Sequence, residues 1–279
     1  VSGVGADAET VAAAARDGSV FALDADGKTR WNVPIGAEVV TVPAVGHGVV
    51  VVRSSDNRVT ALDAQTGRRR WSFQRQGVPL VLRQTAGIAI TPDSVYVGLP
   101  GGRLVALNAQ SGALRWESAI SQPKGATEIE RIADIAGTPM LVGREVCAVS
   151  FQGRLACADA ATGRVVWNRE ISSSGGIGTD ERMIVAADDR GRLHAHSRGG
   201  TSLWRQEAFV GRALSSPLVL GALVFVGDQH GALHLLNAAD GAVAGRIDVD
   251  APVDSAPVAA GSLAVVQTRA GTLYAITAR

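Results

Sequence analysis

Charge of one sign is missing from this chain: 27 basic residues stand against 26 acidic ones, a formal net charge of +1. That balance leaves no broad electrostatic footprint for nucleic acid. The densest basic cluster, Arg68-Arg69-Arg70, falls between two strand-like segments and reads as a solvated turn. No run approaches the roughly 18 apolar residues that a bilayer-spanning helix requires. Neither an initiator Met nor a signal-like segment opens the chain at Val1. The sequence therefore reads as a mature or trimmed product whose start does not report its compartment. Ser-His-Asp, phosphate-loop and paired-carboxylate arrangements are absent as well. Aromatic residues make up only 4%, and the 46% hydrophobic content is mainly Ala, Val and Leu spread evenly along the chain. Such a distribution suits many short strands covered on both faces.

The few aromatics are placed with regularity. All five tryptophans close a recurring phrase in which Gly precedes Trp by four residues. The phrase reads GSVFALDADGKTRW (Gly18 to Trp31), NRVTALDAQTGRRRW (Asn57 to Trp71), GRLVALNAQSGALRW (Gly102 to Trp116), GRLACADAATGRVVW (Gly153 to Trp167) and GRLHAHSRGGTSLW (Gly191 to Trp204). Two further copies lack the Trp: GALHLLNAADGAVAG (Gly231 to Gly245) and GTLYAITAR (Gly271 to Arg279). Successive copies are offset by 39, 45, 51, 38, 40 and 40 residues. A period near 40 with strand-type sequence in every copy predicts an all-β fold, a β-propeller of four-stranded antiparallel blades. Seven repeats are visible, and residues 1–279 are expected to form one domain without an internal boundary.

Residues 87–116 show how one blade is specified. GIAIT, SVYVG and RLVALN read as strands a to c, separated by the turn signals Pro-Asp and Pro-Gly-Gly. Asn108 can bond its own backbone to start the next turn, and Gly112 supplies a positive φ at little cost. Strand d carries the Trp. Trp31, Trp71, Trp116, Trp167 and Trp204 are expected to be structural, packing at junctions between blades. The seventh repeat stops after strand c, so its strand d must come from elsewhere if no edge is to be left open.

Cys147 and Cys157 flank the segment AVSFQGRLA. A hairpin turn at Gln152-Gly153 would set them opposite each other on paired strands, where either a disulfide or two buried free thiols is compatible with the spacing. A bond would point to an oxidising compartment. His194 and His196, at i and i+2 of a strand c, and His234 at the matching position of the next blade raise the question of a metal. Three or four converging ligands are not visible, so these read as packed or surface histidines, and no metal or cofactor is expected. His47 and His230 sit beside glycines in turns.

Repeat arrays place insertions on functional loops. The steps of 45 and 51 exceed the period by about 5 and 11 residues, and both extra segments fall between strand d and the next strand a: Gln74 to Ala86 and Ile120 to Gly137. Such connections emerge on the same face of a propeller, and these two are adjacent, so they predict one raised patch. It combines Leu80 and Leu82 with Arg83, Glu128, Glu130, Arg131 and Asp134, an apolar centre with a charged rim suited to binding a protein.

Across essentially its whole length the chain resembles the BamB family of outer-membrane assembly lipoproteins, which belong to the quinoprotein-like propellers. The resemblance is carried by Leu80-Val-Leu-Arg83, by Thr127-Glu-Ile-Glu-Arg-Ile-Ala-Asp134 followed by Thr138-Pro139, by Ser215-Ser-Pro217, and by Ala256-Pro-Val-Ala-Ala-Gly-Ser-Leu. It implies a non-enzymatic, eight-bladed scaffold, lipid-anchored to the periplasmic face of the outer membrane, that binds the POTRA region of BamA. Nascent outer-membrane proteins are a second class of partner. The chain then corresponds to blades two to eight, with the first blade and the lipid-bearing cysteine absent. Family contact residues match Leu80, Leu82, Arg83 and Asp134, whereas a second acidic position is Ala136 here. Two other readings compete. A quinoprotein dehydrogenase is opposed by the absence of an adjacent Cys-Cys pair. A generic peptide- or cell-wall-binding propeller would hold its ligand in the central funnel instead of at the insertions.

Overall fold

The computed structural model describes residues 3–75, 86–122, 126–127 and 132–277. They form seven antiparallel sheets in which consecutive strands lie side by side; six have four strands, and the last has three. In order, the sheets span residues 3–34, 44–74, 88–119, 135–169, 177–206, 218–248 and 258–277. The chain divides into two compact units, Val1–Pro139 with Ala160–Arg164, and Met140–Asp159 with Val165–Arg279. The first contains the first three sheets and the second the last three.

The third sheet shows the local logic. Strand a is Ile88–Ile90, b is Ser94–Leu99, c is Arg103–Asn108 and d is Leu114–Ala119. Every residue of strand b is buried, as are the four central residues of c, because neighbouring elements cover both faces. The unbroken apolar runs of the sequence therefore correspond to the middle strands, where alternation with polar residues has no solvent face to serve. Strand d alternates more openly and is one of the two edge strands of the ladder.

In the first three sheets the turn from c to d is built by its own polar residue, Asp24, Asp63 or Asn108. Asn108 Oδ1 accepts the Gln110 and Ser111 amides, and Gly112, at φ +69°, returns its N–H to the Asn108 carbonyl. Asp63 and Gly67 repeat the device in the second sheet. A register shift follows: Ala106 faces Trp116 while Leu107 faces Leu114, so Arg115 is bulged out. The same one-residue bulge precedes Trp31, Trp71, Trp167 and Trp204. It turns each indole toward the following sheet.

The indole then closes on the next sheet's c-to-d turn. Trp31 Nε1 donates to the Ala64 carbonyl at 2.9 Å, Trp71 to Ala109 at 2.9 Å and Trp116 to Ala160 at 3.0 Å. In the second unit Trp167 donates to Arg198 at 2.7 Å and Trp204 to Ala238 at 2.8 Å. The turn glycine lies flat against the ring in every case. A Cβ on Gly67 would stand 2.8 Å from Trp31, and one on Gly112, Gly163 or Gly200 would stand 2.6 Å from Trp71, Trp116 or Trp167. The five tryptophans thus join sheets, each placing its one donor on a backbone carbonyl of the next turn; the Ala160 carbonyl takes Tyr96 Oη as well, at 3.1 Å.

Cys147 and Cys157 face each other across strands b and c of the fourth sheet, with Cα atoms 4.0 Å apart, and their sulfurs are joined. Both are wholly buried. At the C-terminal end the core built around Phe225, Leu233, Val253, Ala264 and Val266 covers one side of the last sheet. Val258 and Leu273 on that sheet are 62% and 66% exposed.

Candidate functional site

The two insertions leave the repeat after strand d of the second and third sheets. Leu80, Leu82, Arg83, Glu128, Glu130 and Arg131 lie outside the described residues. Their flanking segments are described, and these roots come together inside the first unit. Gly87, one residue past the first insertion, donates its N–H to the carbonyl of Gly137, the last residue of the second, at 2.9 Å. Thr138 packs so closely on Gly87 that no side chain fits there. Gly98, at the end of strand b of the third sheet, also lacks a side chain for a reason: a Cβ would stand 2.5 Å from Ile135 Cγ2 and 3.0 Å from Ala86 Cβ. One root from each insertion therefore packs against the same backbone position.

The turn that follows, Pro100-Gly101-Gly102, forms the pedestal of the second insertion. Gly102 accepts the Ile120 and Ser121 amides at 2.9 and 3.2 Å. A Cβ on Gly102 would meet the Ser121 carbonyl at 2.5 Å and the Ala133 carbonyl at 3.0 Å. The start and the end of the insertion are thus drawn over one glycine, whose φ of +69° is open to few other residues.

Asp134 does not belong to an exposed rim. It is 5% exposed, and its Oδ1 accepts the Gly101 amide at 3.0 Å. The carboxylate is therefore taken up by the Gly101 turn and is not exposed. Ala136, where the resemblance implies a second acid, is also buried, so an acid there would be taken out of water.

Arg53 joins this cluster, and sequence reasoning passed it over. It ends the all-buried strand Val49–Arg53 of the second sheet and is itself 5% exposed. Its guanidinium donates from Nη1 to the Gly98 carbonyl at 3.2 Å, and its amide donates to Thr41 Oγ1 at 2.9 Å. Burial pushes the Arg53 pKa down from its usual value, while the Asp134 carboxylate pushes it back up. A charge terminating a run of four valines was the available signal, since such a charge must find compensation inside.

The histidines form two copies of a clasp in the second unit. Asp188 takes the Arg190 and Arg192 amides on Oδ1, and the Arg192 guanidinium and His194 Nε2 on Oδ2, the latter two at 2.6 and 2.9 Å. Asp228 repeats this one sheet later with the His230 and Ala232 amides, Arg212, and His234 Nε2 at 2.9 Å. His196 lies past the bulge of its strand and stacks on Trp167, with ring centroids 6.2 Å apart. Among the described residues one group of potential ligand atoms, Glu145 with Cys147 and Cys157, gathers within 4.8 Å. With the two sulfurs bonded to each other, that group offers no thiolate.

Repeated four-stranded sheets, a bulge that aims each Trp, and closure of that Trp on the next turn define a β-propeller. A family model described as outer membrane protein assembly factor BamB matches residues 1–199 and 190–279. Similar relatives include the outer membrane protein assembly factor BamB of Burkholderia pseudomallei, 42% identical over all of this chain and 74% of that protein. The Bordetella pertussis protein of the same name is 39% identical over 99% of this chain and 72% of that protein. Among solved structures, that of BamB from Moraxella catarrhalis has a TM-score of 0.91 at 27% identity, covering 98% of this chain and 83% of that one. A computationally designed protein, Ika8, has a TM-score of 0.78 at 15% identity and shows the fold alone. The chain belongs to the BamB family.

Proposed function

We propose that this chain is a non-enzymatic scaffold of outer-membrane protein assembly, located at the periplasmic face of the outer membrane, and that it binds the POTRA region of BamA through its two insertions. The observation that carries the reading is the meeting of the insertion roots: the Gly87–Gly137 hydrogen bond and the shared packing on Gly98 tie together the two longest departures from the repeat. Relatives at 42% and 39% identity named as outer membrane protein assembly factors support the role. The buried Cys147–Cys157 bond fits an oxidising compartment.

In this reading Leu80 and Leu82 supply apolar anchors, and Arg83 bonds a carboxylate or carbonyl of the partner and sets register. Asp134 acts from below by holding the Gly101 turn. Calorimetry of the full chain against the POTRA region of BamA from the same organism tests it. The wild type is expected to bind, and Arg83→Glu to lose at least about tenfold, the lower end of the cost of reversing one partner of a close interfacial charge pair. Equal binding by the two proteins removes the assigned face.

A further inference from the structure

We infer that Arg53, on the sheet before the one that carries Gly98 and more than twenty residues before either insertion, is a positioning residue of the partner-binding face: its buried guanidinium locks the Gly98–Gly102 segment and Asp134 so that both insertions are presented together. The inference rests on the scaffold reading above and adds to it a residue that touches no partner.

Four observations in the first unit converge on this role. Arg53 is charged and buried at the end of a valine strand, where an apolar residue would serve the core without the cost of desolvating an ion. Its guanidinium bonds the carbonyl of Gly98, the residue on which Ala86 and Ile135 from the two insertion roots both rest. Asp134, the buried carboxylate whose field acts on Arg53, holds the amide of Gly101 three residues along the same segment. Gly102 in turn carries both ends of the second insertion. A cation on one sheet and an anion in the inserted loop therefore grip one short stretch of backbone from two sides. Removing either leaves the other buried with less compensation, and the stretch between them loses its fixed geometry.

The test is a double-mutant cycle read by calorimetry against the POTRA region of BamA, with Arg83→Glu run in parallel and folding followed by near-ultraviolet circular dichroism. Arg53→Met keeps much of the side-chain length without the charge, and Asp134→Asn keeps an oxygen for the Gly101 amide. Each is expected to stay folded and to weaken binding at least tenfold. The double variant, with both charges gone, is expected to bind no more weakly than the worse single variant. Hydrogen exchange at Gly101 and at residues 132–136 is expected to rise in Arg53→Met.

Wild-type affinity in Arg53→Met, when Arg83→Glu has lost binding, overturns the inference and leaves the scaffold reading standing. So does a multiplicative loss in the double variant. Wild-type affinity in Arg83→Glu overturns both. If Arg53→Met alone does not fold, the double variant decides: weakened binding by the folded double supports the role of the pair, and wild-type binding removes it.

Discussion

His196 shows how one side chain couples this fold to pH. Burial holds its pKa down to about 4, and the neighbouring His194 and Arg169 push the same way. Between pH 6.5 and 4 the unfolded chain takes up a proton that the folded chain refuses, so stability falls as pH falls through that window. From about pH 7.5 to about 4.5 this group alone should remove about 2–3 kcal/mol. Urea unfolding of His196→Gln is expected to show a correspondingly flatter pH profile; profiles parallel to the wild type would show that the imidazole is not the responsible group. Asp228 acts in a lower window. Burial raises its pKa, but bonds from His234, the Ala232 amide, Arg212 and the His230 amide outweigh this and hold it at about 2. Its contribution is complete above about pH 4 and is lost as pH falls toward about 2. The pairing with Arg212 could not be assigned from sequence spacing, because that residue comes from a different connection than the turn that binds Asp228.

The c-to-d turn with its glycine and the strand carrying the Trp make up the element that repeats, and its energetics can be separated. Gly112 and Gly261 both have positive φ, +69° and +61°, but only Gly112 lies against an indole; a methyl group on Gly261 would meet nothing within 4 Å. Gly261→Ala should cost about 1–2 kcal/mol for the left-handed conformation. Gly112→Ala should cost about 2–4 kcal/mol, since the methyl also displaces Trp71. Thermal denaturation of the two variants checks the difference, and equal midpoints would deny the tryptophan contact its share. The Cys147–Cys157 bond is a second element-scale constraint. Closing a loop between residues ten apart should stabilise the fold by about 2–3 kcal/mol in the chain-entropy account. Guanidinium unfolding of the Cys147→Ala, Cys157→Ala double variant against the oxidised wild type measures it. The Gly–Trp spacing made the turn visible in the sequence, whereas the bulge that aims the indole has no residue signature: Arg115, Val166 and Leu203 all occupy it.

For the whole molecule, the proposed function gives rigidity and recognition to different residues. Strand-rich sheets supply the frame, and in that proposal the insertions supply the binding face. Leu80→Ala with Leu82→Ala should weaken POTRA binding at least about tenfold, the usual cost of truncating an interface anchor, and leave the unfolding midpoint within a few degrees of the wild type. A parallel fall in stability would assign those leucines to the core instead. The all-β class, the repeat and its register of Trp and Gly were determined by the sequence alone, because strand pairing and tight turns are local and recur every 40 or so residues. The insertions were legible for the same reason, as departures from a period. Tertiary structure alone decided that Asp134 is buried, that Gly98 receives both insertion roots, and that Arg53 belongs to the same cluster. Those outcomes depend on approach distances between segments, the Asp134–Gly101 and Arg53–Gly98 bonds joining residues 33 and 45 apart, and close packing of that kind leaves no periodic trace in the chain.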